Sequence, residues 1–290
     1  MKTLILKLGA SGDVVRTTSL LHSFNNVDWI TNRMNSILLR GVQNIERIIC
    51  DDELESTKFD NYDLVINLED NLESALILNS LNYKDLFGAY LNKDGKVIYT
   101  ENSKSWFDLS LISCYGIEKA NKLKYENNKS FQELIFSGLG LEFKADPYFL
   151  PNSPVTNLYG DIAIAPKAGK VWPMKNWAYF DELAEVLREK GLIVNYLPNR
   201  PTMLEHLTDV RNHKLLVCGD SLPMHLALGA KIKLITLFIC TSPYEIYGYD
   251  RMRKIVSSEL NKYWYRRDFE QAAAESIPLK TVVDEIELFL

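Results

Sequence analysis

The stretch Leu216–Ala227, which reads LVCGDSLPMHLA, decides the expected fold. Its apolar start predicts a short strand, and the polar residues after it predict a turn into a helix. Asp220 or Ser221 can cap that helix, and Pro223 suits its first turn because no needed donor is lost there. A strand that leads into a helix N-terminus is a potential anion site, and His225 is expected to face the same place. The alternative is an ordinary turn with a surface histidine.

Apolar and helical segments alternate on both sides of this stretch. In the first half, the expected strands are Thr3–Leu8, Val27–Thr31, Ile45–Cys50 and Leu64–Leu68, and the helical segments are Val14–Phe24, Ile37–Leu39 and Ser74–Leu81. In the second half, the strands are Asp161–Ala165, Leu192–Leu197, Leu215–Cys218 and Leu234–Phe238, with helices at Trp177–Lys190 and Pro278–Leu290. This alternation predicts βαβ units and mostly parallel sheets. A hairpin is expected around Asn92–Gly95.

The segment Asp146–Pro154 contains three prolines and predicts an extended linker between two α/β halves. We therefore expect a first domain at residues 1–150, a second at 156–275 and a final helix at 276–290. Ligands of such sheets bind beyond the carboxyl ends of the strands. The cleft between two facing halves is the expected site.

The composition, with 47% hydrophobic and 24% charged residues, is typical of a soluble globular protein. The four cysteines, Cys50, Cys114, Cys218 and Cys240, form no CxxC pair, which argues against a zinc ribbon or a disulfide framework. Together with the absence of a secretory signal, this pattern predicts a cytoplasmic protein. No apolar run approaches the ~20 residues of a transmembrane helix.

The net charge of −5 is unevenly distributed. Residues 1–155 hold 16 Lys and Arg against 21 Asp and Glu, whereas residues 156–290 are balanced. This distribution argues against nucleic-acid binding, which requires a basic face. The basic and aromatic cluster formed by Arg251–Lys254 and Lys262–Arg267 predicts either a solvated surface helix or a patch for a membrane surface or a phosphate.

The segment Leu6–Thr17, LKLGASGDVVRT, places a glycine-containing turn between a strand and a helix. Such turns let a ligand approach the backbone, although the spacing is neither that of GxGxxG nor that of a Walker motif. Asp13 lies where the turn becomes helix. It can cap the helix, or it can act as a general base that accepts a proton from an attacking hydroxyl.

Two further segments follow expected strands in the second half. Pro166–Phe180, PKAGKVWPMKNWAYF, offers a lysine that can face the anion site and pair with a diphosphate. Its Trp172 and Trp177 are expected to pack rather than to stack on a ligand. Leu237–Glu245, LFICTSPYE, predicts a strand, a hydroxyl-rich turn and a helix start.

In this order, the segments resemble those of glycosyltransferase family 9, the ADP-heptose:lipopolysaccharide heptosyltransferase family. Gly12-Asp13-Val14 is similar to the opening motif, and Lys170–Pro173 to the K-x-W-P segment. Asp220–Ala227 resembles the signature D-[TS]-G-P-x-H-L-A, and Phe238–Pro243 resembles the F-G-x-T-x-P stretch. Asp63–Leu68 matches the region of the second strand pair. The resemblance covers most of the chain and is weakest over residues 88–145.

The resemblance implies an α/β protein of the GT-B fold, with two Rossmann-like domains facing across a cleft and the last helix packing back on the first domain. It implies an inverting, metal-independent transfer of a sugar, heptose in this family, to a hydroxyl of a bacterial surface glycan or glycolipid. The implied donor is a nucleotide sugar, ADP-heptose, with no further cofactor. The implied location is cytoplasmic, with peripheral contact at the inner membrane.

The resemblance also assigns roles to residues. Asp13 is implied as the catalytic base, with Ser11, Gly12 and Arg16 on the acceptor side. Fixed positive groups beside the leaving diphosphate stabilise the transition state more than the ground state. The implied donor-binding residues are Lys170, Asp220, Ser221, Leu222, His225, Thr241 and Ser242, and no metal ligand is implied.

Two departures keep other functions open. Leu222 stands where the family signature has glycine, and it narrows the approach of a phosphate to the backbone. The segment between Leu197 and Leu215 is short, and Glu205 is the acidic residue considered there to hold a ribose. The alternatives are a GT-B-like nucleotide-sugar epimerase or hydrolase, and a catalytically degenerate binding protein.

Overall fold

The computed structural model describes all 290 residues and divides them into two compact units, Met1–Pro151 and Asn152–Leu290. The division falls within the proline-containing segment Asp146–Pro154, whose residues lie outside helices and strands. None of the helices has the length and apolar character needed to cross a membrane.

The first unit is built on one six-stranded sheet. Its strands are β1 (Thr3–Leu6), β2 (Val27–Thr31), β3 (Ile45–Cys50), β4 (Asn61–Asn67), β5 (Asn82–Leu91) and β6 (Val97–Tyr99). Their order in the sheet is β3-β2-β1-β4-β5-β6, and only β6 runs antiparallel to its neighbour. This order is that of a Rossmann sheet, and it reverses direction between β1 and β4.

Helices cover both faces of this first sheet. They are α1 (Ser11–Thr17), α2 (Arg33–Ser36), α3 (Leu72–Ile77), α4 (Lys104–Phe107), α5 (Ile117–Glu126) and α6 (Phe131–Gly138). Short 3-10 turns lie at Thr18–His22, Asp51–Ser56, Leu78–Ser80 and Glu101–Ser103. Along β1, Leu4 and Leu6 enter one apolar cluster and Ile5 enters the other. Burial on both faces explains why this strand is continuously apolar in sequence.

The second unit contains a five-stranded, fully parallel sheet. Its strands are β7 (Gly160–Ala165), β8 (Val194–Tyr196), β9 (His213–Gly219), β10 (Lys233–Phe238) and β11 (Met252–Val256). Their order is β11-β10-β9-β7-β8, which reverses direction between β7 and β9. The helices of this unit are α7 (Phe180–Glu189), α8 (Met203–Arg211), α9 (Leu222–Gly229), α10 (Gln271–Ala274) and α11 (Leu279–Phe289), and a 3-10 turn lies at Pro173–Lys175.

The final helix, α11, packs on the second unit. Its buried Val282 and Ile286 share one apolar cluster with Leu183 and Leu187 of α7, against the second sheet. The expectation that the helix at 276–290 packs back on the first unit stays a prediction. The apolar spacing of a helix defines which of its faces is buried, but not which surface covers that face.

Some local features match the expectations from the sequence, and one does not. The expected hairpin is present, because β5 and β6 pair around a turn in which Gly95 has a φ of +73°. Gly191 ends α7 with a φ of +83°, as expected of a C-terminal glycine. The helix expected to begin near Pro243 does not form, since the chain after β10 continues in turns and bends to Asp250.

Candidate functional site

Each sheet has one point where its strand order reverses, and the loops that follow the strands diverge there. In the first unit this point lies between β1 and β4, and in the second it lies between β7 and β9. Open α/β sheets bind their ligands at such switch points, beyond the carboxyl ends of the strands. A lysine paired with a carboxylate lies at each of the two points.

In the first unit, Lys7 follows β1 and Glu69 follows β4. The Lys7 Nζ lies 2.8 Å from the Glu69 Oε1, and both residues are buried. The same oxygen accepts hydrogen bonds from the backbone N–H groups of Leu8 at 2.7 Å and Gly9 at 3.3 Å. This carboxylate therefore ties the end of β4 to the turn that follows β1. Neither residue was predicted from the sequence, although a lysine that ends an apolar strand was a visible signal.

Asp13 lies in the first turn of α1, beside these charges. Its Oδ1 is 3.0 Å from the Nη2 of Arg16, and its Oδ2 is 3.8 Å from the Nζ of Lys7. The side chain keeps 34% of its surface exposed. The N-cap of α1 is Ala10, so Asp13 does not occupy the capping position. The result is a positioned carboxylate that solvent or a ligand can reach.

The other predicted residues of this unit, Ser11, Gly12 and Arg16, also lie in α1. Arg16 is buried, with its guanidinium carbon 4.0 Å from the ring centroid of Phe131 and 5.5 Å from that of Trp106. These cation–π contacts fix the end of the side chain that meets Asp13. The Ser11 hydroxyl donates to the side-chain oxygen of Asn35 at 2.6 Å, and Gly12 is buried.

In the second unit, Asp220 follows β9 and pairs with Lys175, which lies in the loop after β7. The Lys175 Nζ donates to the Asp220 Oδ2 at 2.6 Å and to the Asp220 carbonyl oxygen at 3.0 Å. The Thr241 hydroxyl, after β10, donates to the same Oδ2 at 2.8 Å. The Lys175 and Asp220 side chains are only 9% and 16% exposed. Loops after three strands therefore converge on one carboxylate.

The charge state of Asp220 follows from these contacts. Burial is the largest influence and opposes ionisation, but the charge and hydrogen bond of Lys175, together with the groups named next, hold the pKa of Asp220 below its ordinary value. The buried His225 and the Thr241 hydroxyl act in the same direction. Asp220 is therefore an anion whose charge is held by its neighbours.

Gly219 allows this close packing. An added Cβ would lie 2.6 Å from the carbonyl oxygen of Lys175, closer than real Cβ contacts come. The absence of a side chain at Gly219 lets the 3-10 turn Pro173–Lys175 lie directly against the end of β9.

The N-terminus of α9 is not capped by a side chain. Ser221 is the N-cap, but its hydroxyl donates to the carbonyl oxygen of Gly219 at 3.2 Å and makes no capping hydrogen bond. Leu222 is the first helical residue and does not have a positive φ. Leucine in place of the signature glycine therefore imposes no backbone strain here. The first N–H groups of α9 remain available to an anion.

A pocket of about 730 Å³ opens beside this helix terminus. Its lining comes from the loop after β7, the segment after β8, the start of α8 and the first turn of α9, and it includes Lys167, Tyr196, Arg200, His206 and Pro223. A pocket of this size suits a nucleoside-sized ligand. Glu205, the acidic residue considered for a ribose, instead accepts hydrogen bonds from Thr202 and caps α8.

Two predicted donor-side residues lie apart from the Asp220 network. Lys170 is exposed and makes no hydrogen bond or ion pair, so Lys175 rather than Lys170 pairs with Asp220. Ser242 is buried, and its hydroxyl accepts a hydrogen bond from the N–H of Tyr244 at 3.3 Å. Lys175 was not predicted from the sequence, because a loop lysine is ordinarily solvated.

The basic cluster Arg251–Lys254 and Lys262–Arg267 makes many contacts within the unit. Arg266 pairs with Asp268 and Glu270, and the Lys254 Nζ donates to the carbonyl oxygens of Pro243 and Ile246. The guanidinium carbon of Arg267 lies 5.2 Å from the ring centroid of Trp172. Much of the positive charge of this cluster is therefore engaged by groups of the same unit.

One group of side chains has the residue types of a metal site. Ligand atoms of Cys50, Asp52 and Glu53 lie within 4.8 Å of one another. Arg33 pairs with both acidic members, at 2.7 Å to Asp52 and 2.6 Å to Glu53. Both carboxylates therefore already have a guanidinium as their partner.

Residues 199–272 match the family model of glycosyltransferase family 9 (heptosyltransferase). This segment contains Asp220, His225 and Thr241 together with the uncapped terminus of α9. The resemblance that the sequence motifs predicted is confirmed over this part of the chain. No curated protein matches the chain in sequence.

Solved structures resemble the whole chain. The ADP-heptose LPS heptosyltransferase II of E. coli is 15% identical, covers 100% of this chain and 98% of its own, and superimposes with a TM-score of 0.67. The E. coli heptosyltransferase WaaC with ADP is 16% identical over 100% of both chains, with a TM-score of 0.66. A glycosyltransferase of family 9 from Veillonella parvula DSM 2008 is 13% identical over 99% and 96%, with a TM-score of 0.64. The fold is therefore the GT-B fold of these proteins, and the expected fold class is confirmed.

Proposed function

We propose that this protein is a glycosyltransferase of the heptosyltransferase type. In this proposal it moves a sugar, heptose by resemblance, from a nucleotide-sugar donor to a hydroxyl of a bacterial surface glycan or glycolipid. The observation that carries the proposal is the uncapped N-terminus of α9, which lies at the β7/β9 switch point beside a pocket of about 730 Å³. This combination suits a nucleoside diphosphate, with the nucleoside in the pocket and the phosphates at the helix terminus.

The donor is proposed to be ADP-heptose. The match to the family model and the likeness to WaaC with ADP support adenosine diphosphate as its nucleotide part. The backbone N–H groups of Ser221 and Leu222 would bind phosphate oxygens, and the exposed Lys170 would add a positive charge. As the sugar–phosphate bond breaks, negative charge grows on the diphosphate, so these groups lower the barrier.

Asp13 is proposed as the general base. It would accept the proton of the acceptor hydroxyl while that oxygen attacks the anomeric carbon and the diphosphate leaves, a single displacement that inverts the configuration. The exposure of Asp13 and its anchoring by Arg16 and Lys7 support this role. No metal ion is needed in this scheme, because lysine and backbone N–H groups supply the positive charge.

Calorimetric titration with ADP, UDP and GDP tests the donor site, and we expect ADP to bind most tightly. A mass-spectrometric screen with ADP-heptose and a pool of glycolipids and oligosaccharides then tests transfer, with and without EDTA. A protein that binds none of the nucleotides would favour the degenerate binding protein. Consumption of the donor without any acceptor would favour the epimerase or hydrolase.

Peripheral contact with the inner membrane is proposed for the cytoplasmic enzyme, because a glycolipid is among the proposed acceptors. Cosedimentation with vesicles of anionic phospholipid tests the contact. Binding that weakens with added salt would support it, and protein that stays in the supernatant at low salt would contradict it.

A further inference from the structure

We propose that Lys175 is a positioning residue of the donor site, which neutralises Asp220 and holds the β9–α9 turn so that an anionic diphosphate can bind at α9. This inference rests on the proposed function. It assigns Lys175 a role different from that of Lys170, and it makes Asp220 a fixed internal anion rather than a ligand of the donor.

The need for a neutralising charge follows from the position of Asp220. This carboxylate lies two residues before the first residue of α9, close to the helix end that attracts anions. A bare carboxylate there would compete with a diphosphate for the same positive end and would repel it. Lys175 removes that repulsion, because its ammonium lies 2.6 Å from the carboxylate oxygen.

Lys175 also fixes the backbone of the turn. Its one ammonium donates both to the carboxylate and to the carbonyl oxygen of Asp220, so the side chain and the main chain of Asp220 are held together. Thr241 holds the same carboxylate from the loop after β10. These contacts orient the N–H groups that begin at Ser221.

The packing keeps Lys175 in place. The residue is 8% exposed, and its Nζ lies 5.5 Å from the ring centroid of Trp172. Lysine is seldom buried unless its charge is paired. Gly219 provides the space that the Lys175 backbone occupies. In contrast, Lys170 is exposed and without an ion pair, which leaves its ammonium available to a ligand.

The test compares the affinities for ADP and for adenosine, measured by calorimetry on the full chain. For Lys175→Met we expect the Kd for ADP to rise at least roughly tenfold and the Kd for adenosine to stay within about twofold of the wild type. Lys175→Arg should recover most of the ADP affinity. Lys214→Met is the matched control, since Lys214 is an ion-paired lysine at the opposite end of β9 and its loss should leave both Kd values unchanged.

The double variant Lys175→Met/Asp220→Asn separates neutralisation from other effects. With both charges removed, we expect most of the lost ADP affinity to return. The inference is overturned if Lys175→Met binds ADP as the wild type does, if adenosine weakens as much as ADP, or if the double variant stays as weak as Lys175→Met. A wild-type protein that binds no nucleotide would instead overturn the proposed function itself.

Discussion

Gly219 has no Cβ, and the carbonyl oxygen of Lys175 lies only 2.6 Å from where one would be. We predict that Gly219→Ala lowers the free energy of unfolding by about 1–3 kcal/mol, because the turn Pro173–Lys175 must shift. Urea denaturation measures this change. Gly169→Ala is the control in the same loop, since its Cβ would meet no atom within 4 Å. Equal stability of the two variants would contradict the packing described here.

Asp13 carries the proposed proton transfer. We predict that Asp13→Ala lowers the transfer rate at least about a hundredfold, because a general base contributes on this scale. The affinity for ADP should not change, since Asp13 belongs to the first unit and the proposed nucleotide site to the second. Glu73→Ala, which removes an exposed carboxylate on α3, is the control for a loss of charge. An Asp13→Ala variant with wild-type activity would exclude Asp13 as the base.

Some site residues could be predicted from the sequence, and others could not. Asp220, His225 and Thr241 follow buried strands within recognisable motifs, and the structure brings them together. Lys175 forms its ion pair across 45 positions of the chain, and no local pattern distinguishes it from a solvated lysine. The pairing of Lys7 with Glu69 depends on β1 lying beside β4, which a single sequence does not reveal.

At the scale of elements, α8 and α9 begin in different ways. Thr202 caps α8 reciprocally with Glu205, whereas the Ser221 side chain does not cap α9. We therefore predict that Thr202→Ala lowers the free energy of unfolding by about 1 kcal/mol and that Ser221→Ala lowers it by much less. Urea denaturation without nucleotide measures both. A larger loss for Ser221→Ala than for Thr202→Ala would show that α9 is capped by that hydroxyl after all.

Strands were easier to predict than helices, for a physical reason. Val27–Thr31 and Ile45–Cys50 were placed at their observed bounds, because both are short runs rich in β-branched and aromatic residues. The helix expected at Val14–Phe24 ends at Thr17 and continues as a 3-10 turn, a change that periodicity does not resolve. Helix α8 was missed although its capping pair, Thr202 with Glu205, is visible in the sequence.

At the scale of the whole molecule, we propose that the first unit binds the acceptor and the second unit binds the donor. We predict that ADP slows hydrogen exchange in the loops after β7, β8 and β9 and at the starts of α8 and α9. The segment Lys7–Asp13 of the first unit should exchange as it does without ligand. Mass spectrometry of the full chain measures this difference. Protection confined to the first unit would reverse the assignment of donor and acceptor sides.

The overall architecture was largely predictable. The alternation of strands and helices predicts parallel sheets, and the prolines of Asp146–Pro154 mark the division that the structure shows between Pro151 and Asn152. The packing of α11 on α7 was not predictable, because Val282 and Ile286 define an apolar face but not the surface that covers it. Sequence patterns predict the elements and their apolar faces more reliably than they predict which elements pack together.

A crystal structure with ADP is the decisive measurement, because the proposed function depends on one helix terminus that binds a nucleoside diphosphate. We predict phosphate oxygens within hydrogen-bond distance of the N–H groups of Ser221 and Leu222, with the nucleoside in the pocket lined by Tyr196 and His206. The Lys175–Asp220 pair should remain intact. Density for ADP at any other place, with the start of α9 unoccupied at saturating ADP, would contradict the account.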